Sequence, residues 1–323
     1  MSVEASSARL RSTMPVSKPK ALGQGANLAV FAPASPADDA KTKAGLAELA
    51  RLGFRVNKWK PRSPQGYFAG SMEERGEEFL GALKDDGIDG LVGLRGGYGS
   101  NYLLSGVIGN ISGEAKALIG YSDLTSLQIF LWQRHRWVTF YGPMIAAGFD
   151  AGAGTPGGYD EASFRLAIGE TRGGWSRPLC GETLVAGEAR GRLLGGAMTL
   201  VEATLGTPWE LDMRDAILIL EDRAMKPYQI DRVLMHFKQA GKFDGVRGIV
   251  LGDFPECEPP VAGSPTVRDV CRRILGELRV PIVFGAPIGH TLRPMLTLPL
   301  GVQARLRAQG EGVLEILEPA VTF

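Results

Sequence analysis

Gly120-Tyr121-Ser122-Asp123-Leu124-Thr125 sets a serine where one apolar run ends and an amphipathic run begins. A strand entering a helix there would put the Ser122 hydroxyl on a tight bend beside the helix N-terminus, where developing negative charge is favoured. The Asp123 N–H would face the same spot as an oxyanion donor. A serine or aspartate in this position also caps helices, so the hexapeptide alone leaves nucleophile and cap about equally open. Arg95-Gly96-Gly97-Tyr98-Gly99 closes an earlier apolar run. Ligands of open α/β sheets gather beyond the strands' carboxyl ends, so both loops would border one crevice, with Gly96 or Gly97 supplying a second oxyanion N–H. Neither GxxxxGK[ST] nor GxGxxG is present here, so a phosphate loop is disfavoured; a plain glycine turn stays open.

A serine nucleophile needs a base. Of three histidines, His135 sits among Gln133, Arg134 and Arg136 and reads as solvated, while His236 lies off the apolar stripe of its helix and reads as surface. His290 follows a buried strand and the turn Ala286-Pro287-Ile288-Gly289, a nonpolar setting that suits a neutral imidazole. A carboxylate should orient that imidazole. Glu221 closes the apolar run Ile217-Leu218-Ile219-Leu220, with Asp222 as the alternative. Strand alternation lets at most one of the two face the site. Glu221 could equally end its strand in solvent or pair with Arg223.

The elements that must position these groups alternate short apolar runs with amphipathic ones, the pattern of βα units in a parallel sheet. Strands are expected at residues 28–33, 54–59, 88–94, 117–121 and 138–141, with helices at 37–52, 72–83 (capped by Ser71) and 124–134. Residues 151–182 are dense in Gly, Pro, Thr and Ser around a short helix at 161–168 and read as an interdomain linker. Beyond it come strands at 183–192, 216–221, 248–251 and 282–284 and helices from 197, at 228–240 and at 267–278. At 323 residues the chain exceeds the ~250–300 at which single cores stop growing. The expected class is α/β, with a flavodoxin- or amidotransferase-like parallel-sheet domain over 26–150 and a C-terminal α/β domain with a mixed sheet over 183–323.

A net charge of +1 gives no field for nucleic acid or anionic lipid. Three cysteines without a CxxC pair suggest neither a disulfide framework nor a zinc cluster. No metal or cofactor is expected. Residues 1–25 lack the apolar segment of a signal peptide and read as a flexible tail, and no run reaches the ~20 apolar residues of a membrane span. A cytoplasmic protein is the expectation.

Taken together, Arg95–Gly99, Gly120–Thr125, Leu220-Glu221 with Tyr228, Ile230, Asp231 and Arg232, and Gly289-His290 with Thr297-Leu298-Pro299-Leu300-Gly301 resemble the LD-carboxypeptidases, the serine-peptidase family that also contains microcin C immunity peptidases. The resemblance runs from about residue 27 onward. It implies Ser122 as nucleophile, Glu221 and His290 as its partners, and oxyanion donation from Asp123 and from Gly96 or Gly97. It also implies release of terminal D-alanine from murein tetrapeptides, and a homodimer. A substrate ending in a carboxylate needs a cation, for which Arg95 and Arg232 are candidates on charge, with Tyr98 beside the first. Gly195-Gly196-Ala197-Met198 departs from the family pattern, which has an asparagine after the glycines. Two rival readings remain: an aminoacyl or peptidyl adenylate substrate, with Trp175 stacking on the base, and a non-catalytic binder of murein peptides.

Overall fold

The computed structural model describes residues 14–56, 62–104, 106, 111 and 113–323. Fourteen strands and seven α-helices among these residues form two sheets that meet at one cleft. In the first, β1 (Asn27–Phe31), β2 (Arg55–Val56), β3 (Gly90–Gly93), β4 (Ala117–Gly120) and β5 (Thr139–Tyr141) run parallel in the order β2-β1-β3-β4-β5. That is the doubly wound order in which ligands collect at the carboxyl ends. The expected strand at 54–59 lies partly outside the described residues.

Local sequence explains the elements around this sheet. Helix α1 (Asp39–Arg51) starts where Asp38 accepts the Lys41 N–H, and α2 (Met72–Lys84) starts on a reciprocal capping box between Ser71 and Glu74. Helix α3 (Thr125–His135) follows β4 and is buried from Thr125 through Gln133. Its Leu127, Phe130 and Leu131 belong to the core of the first sheet, whereas Ile129 and Trp132 belong to that of the second. A helix buried on every side belongs between layers.

In the second sheet, β8 (Gly187–Ala197), β9 (Ala216–Glu221), β10 (Gly248–Gly252) and β11 (Ile282–Ala286) are parallel. Antiparallel strands extend it on both sides, giving the order β6-β14-β13-β8-β9-β10-β11-β7. Here β6 is Trp175–Pro178, β7 Glu182–Val185, β13 Gln303–Ala308 and β14 Val313–Ile316. β9 is buried at all six positions, and each of its Ile and Leu side chains contributes about 1.5–3 kcal/mol over an exposed state. Helices α6 (Pro227–Gln239) and α7 (Val267–Leu275) cover one face through Ile230, Val233, Leu234, Phe237, Val270 and Ile274.

Several expectations need correction. The strand foreseen at 183–192 is two strands, β7 and β8, broken at Ala186 just before Gly187 at positive φ. The stretch read as a linker holds, beside the short helix expected there, α4 (Glu161–Arg165), an unforeseen strand, β6, paired with β14. Residues 1–13 lie outside the described residues, but the rest of the expected tail is anchored: Ser17 bridges Trp137, the Leu22 N–H bonds Ile168 O, and Lys18 pairs with Glu318 at 2.6 Å. Strand β12 (Leu298–Leu300), from the second half, pairs antiparallel with β5 and closes the first sheet. No helix among the described residues is long and apolar enough to cross a membrane.

Candidate active site

Strand β4 ends at Gly120, and the chain turns through Ser122 with φ at +62° before α3 begins. A non-glycine residue in the left-handed region costs of order 1–3 kcal/mol and persists only where its surroundings enforce it. The enforcement here is visible. Thr125 N–H reaches back to Ser122 O and Asp123 O. The buried Asp123 carboxylate accepts the Ser100 N–H at 2.8 Å, and Ser100 Oγ donates to Asp123 O at 2.5 Å. Asp123 thus turns its side chain away from the cleft and ties the Ser122 turn to the loop after β3.

Gly96 lies directly against the serine: a Cβ on it would stand 2.7 Å from Ser122 Oγ and 3.3 Å from the Asp123 nitrogen. Gly97, at φ +108°, packs instead on Ser35, whose hydroxyl accepts the Tyr98 N–H at 3.2 Å. The loop is fixed from behind by Arg75. Its buried guanidinium donates to Pro33 O and Gly99 O and lies 4.7 Å over the Phe68 ring.

The second sheet delivers two titratable groups. Glu221, last residue of β9, is fully buried. Its Oε2 accepts the His290 backbone N–H at 2.9 Å and lies 2.8 Å from His290 Nδ1, while Oε1 accepts the Tyr141 hydroxyl. A Cβ on Gly289 would strike the Glu221 carboxyl group at 2.3 Å, so only glycine lets the His290 loop approach this closely. The Tyr121 ring meets the imidazole edge to face at 5.1 Å. The Tyr141 hydroxyl is also within hydrogen-bonding reach of Thr125 and of the Ser122 backbone, linking the turn to the carboxylate. Asp222 faces the other way and accepts the Thr199 N–H and hydroxyl at 2.9 Å.

Electrostatics follow from these contacts. Burial opposes ionisation of Glu221, but the His290 charge and the bonds from His290 and Tyr141 outweigh it and hold the carboxyl below its ordinary value. Burial likewise opposes the imidazolium, yet the Glu221 charge and hydrogen bond prevail, so His290 titrates above the ordinary 6.5. The nonpolar setting expected for this histidine is therefore overridden by its carboxylate partner. Burial, and then Glu221, raise Asp222.

Ser122, Tyr121, His290, Arg95, Gly96 and Gly97 line one cleft of about 600 Å³. Arg95 reaches Pro36 O at 3.3 Å. Tyr98 is outside that lining, in an aromatic cluster with Tyr67, Phe68 and Tyr102. Arg232 is also outside: the buried stripe Ile230, Val233, Leu234 and Phe237 turns it to solvent on α6. Arg223, which sequence reasoning treated only as a partner for Glu221, lines the cleft and pairs with Glu256 instead. Trp175 is buried in β6 opposite Ile316 and cannot stack on a ligand in the cleft. His236 is at the surface, 2.9 Å from Glu202, whereas His135 is half-buried between Phe130 and Trp137 rather than solvated. Gly195 and Gly196, both at positive φ, press on Ile219 O and Thr125, and the Ala197 N–H bonds Thr125 Oγ1 at 3.1 Å. Sequence reasoning missed Tyr141, Tyr121 and Arg75. A tyrosine at the carboxyl end of a parallel strand was the available signal for Tyr141, since its hydroxyl must find a partner when buried. No group of three or more His, Cys, Asp or Glu among the described residues is arranged to hold a metal.

Residues 28–142 match the N-terminal domain and residues 190–306 the C-terminal domain of the LD-carboxypeptidase family. A Bacillus subtilis (strain 168) protein named "Probable murein peptide carboxypeptidase" is 35% identical over 92% of this chain and 94% of its own. Among solved structures, MccF in complex with glutamyl sulfamoyl guanosine superposes with a TM-score of 0.83 at 24% identity, covering 95% of this chain and 100% of that one. Muramoyltetrapeptide carboxypeptidase from Oxalobacter formigenes gives 0.77 at 24% identity, over 92% of this chain and 100% of the other. At that identity the likeness concerns the fold.

Proposed function

The chain belongs to the LD-carboxypeptidase family, and on that premise we propose that it is a serine carboxypeptidase that releases terminal D-alanine from murein tetrapeptides. The observation that carries the reading is the buried Glu221 carboxylate fixed on His290 Nδ1 in a cleft shared with a strained Ser122. With Nδ1–H held by the carboxylate, Nε2 is the free lone pair that takes the Ser122 proton as Oγ attacks the scissile carbonyl. The tetrahedral oxyanion is met by the N–H of Asp123 and by that of Gly96 or Gly97. The imidazolium, stabilised by Glu221, then protonates the leaving amine, and D-alanine departs. Water, deprotonated by His290, hydrolyses the acyl-enzyme and restores Ser122. Arg95 is the cation of the cleft suited to the terminal carboxylate.

Trp175, the residue offered as a platform for a nucleobase in the adenylate reading, is buried in β6 and outside the cleft, which removes that particular support from it. The family reading carries two further expectations, a cytoplasmic location and a homodimer; sedimentation of the purified chain tests the second. Ser122→Ala should abolish D-alanine release from a murein tetrapeptide while leaving the circular dichroism spectrum and melting temperature unchanged. Normal turnover by that variant sinks the assignment, and labelling of Ser122 by an active-site phosphonate would exclude a non-catalytic binder.

A further inference from the structure

Arg75, in the first turn of α2, is 1% exposed, and no larger side chain among the described residues is fully buried. A buried guanidinium is costly unless hydrogen bonds and an opposite charge compensate it. Its hydrogen bonds go to backbone carbonyls. Nη1 donates to Pro33 O after β1 and, at 2.8 Å, to Gly99 O after β3, while Nε donates to Ser71 O at 3.2 Å. A Cβ on Gly99, at φ +132°, would stand 2.8 Å from Nη1, so this approach requires a glycine. Burial disfavours the charge of Arg75, and the Asp123 carboxylate is the group that favours it most. Burial likewise disfavours ionisation of Asp123, against which stand the N–H groups of Ser100 and Gly99 and the charge of Arg75. An apolar side chain of similar volume would fill the same space without a buried cation, so packing alone does not account for an arginine.

The segments that Arg75 joins are those proposed to bind the oxyanion. The Gly96–Gly97 donors lie in a loop fixed at both ends: Gly96 O accepts the Ser35 N–H at 3.3 Å, and Gly99 O accepts from Arg75. The other donor, the Asp123 N–H, belongs to the Ser122 turn, where the Asp123 carboxylate and carbonyl hold Ser100. Gly99 and Ser100 are adjacent, so Arg75 and Asp123 grip one dipeptide.

We propose that Arg75 is a positioning residue for the reaction: its buried charge, coupled to the Asp123 carboxylate through Gly99 and Ser100, holds in register two oxyanion donors that come from different loops. Arg75 does not touch the substrate and acts only through these backbones. The inference rests on the peptidase reading above, since it assigns a role in that reaction.

The test uses the full chain. D-alanine release from a murein tetrapeptide gives kcat and KM, and calorimetry on the Ser122→Ala background gives Kd for the intact peptide. Arg75→Met should lower kcat by about 10²-fold, the effect of a ~1 Å misplacement at a reacting centre, with Kd on that background changed by no more than about twofold. The acid limb of the kcat/KM profile should stay in place, because Arg75 acts on the donors and not on His290. Adding Asp123→Asn to Arg75→Met should lower kcat no further than the more damaging single change, since both release the same dipeptide. Ser100→Ala removes only the hydroxyl bond to Asp123 O; it should lower kcat by about 3–10-fold at unchanged Kd, and it decides the matter where Arg75→Met does not fold. Wild-type kcat in Arg75→Met, or in Ser100→Ala where Arg75→Met is unfolded, overturns the inference. So do a Kd that weakens as much as kcat falls, a displaced acid limb, and additive losses in the double variant. These outcomes leave the peptidase reading standing, whereas a wild-type chain that releases no D-alanine overturns that reading as well.

Discussion

The two sheets furnish the cleft in different currencies. The first offers backbone: a serine held at φ +62°, the Asp123 nitrogen beside it, and a glycine too close to Ser122 to carry a side chain. The second offers titratable side chains, Glu221 and His290, on a strand end and a loop. Atoms fixed by the backbone tolerate no added bulk nearby, whereas a side-chain pair tolerates changes of shape better than a change of charge.

Substitutions can break that contrast. Glu221→Gln keeps the volume and removes the charge; D-alanine release should fall by about 10⁴-fold, as when a triad loses its carboxylate. The same variant should move the acid limb of the kcat/KM profile to lower pH, because Glu221 is what lifts His290 above 6.5. A limb that stays in place would remove Glu221 from the mechanism. Gly96→Ala changes no charge and adds one methyl group 2.7 Å from Ser122 Oγ; a loss of roughly 10²–10³-fold in kcat is expected, comparable to losing an oxyanion donor. Near-normal turnover there would mean that the first sheet is less rigid than its geometry implies. Tyr141→Phe should have the smallest effect on rate, about tenfold. It should also cost about 1.5–3 kcal/mol of stability, since a hydrogen bond to a buried carboxylate is lost; thermal unfolding checks it.

Stability against pH follows the same pair. His290 titrates higher in the folded chain, so its contribution is complete below 6.5 and fades as pH rises through the elevated value. Glu221 titrates lower, so its contribution is present above 4.5 and is lost as pH falls through the depressed value. Wild type should therefore lose stability at both ends of that window relative to a Glu221→Gln/His290→Gln double variant, as denaturant midpoints across pH would reveal.

Legibility in the sequence was divided along the same line. The central strands of both sheets were readable because parallel strands buried on both faces appear as unbroken apolar runs, Ile217–Leu220 above all. The turn at Ser122 and the strand-ending Glu221 were readable as chemistry at the ends of such runs. The antiparallel strands were not: β12 is three residues containing Pro299, and β13 and β14 alternate polar with buried positions instead of showing the unbroken apolar runs of the parallel strands. Arg232 and Tyr98 were chosen on charge and proximity in sequence, whereas the helical phase of α6 and the aromatic cluster decide where those side chains go. Arg75 left no signal, because a fully buried arginine is recognisable only once the carbonyls it bonds have been brought around it.

The pairing of β12 with β5 also sets an order in time. A ribosome delivers β5 first, and the residues between Tyr141 and Leu298 take roughly 10–30 s at ~5–20 residues per second. Over that interval the first sheet has an open edge, and Ser122 exists without His290 for nearly all of it and without Glu221 for about half. The last strand to join the sheet that carries Ser122 follows His290 closely in the chain, so the growing polypeptide acquires that imidazole and covers the β5 edge within the same few seconds of synthesis.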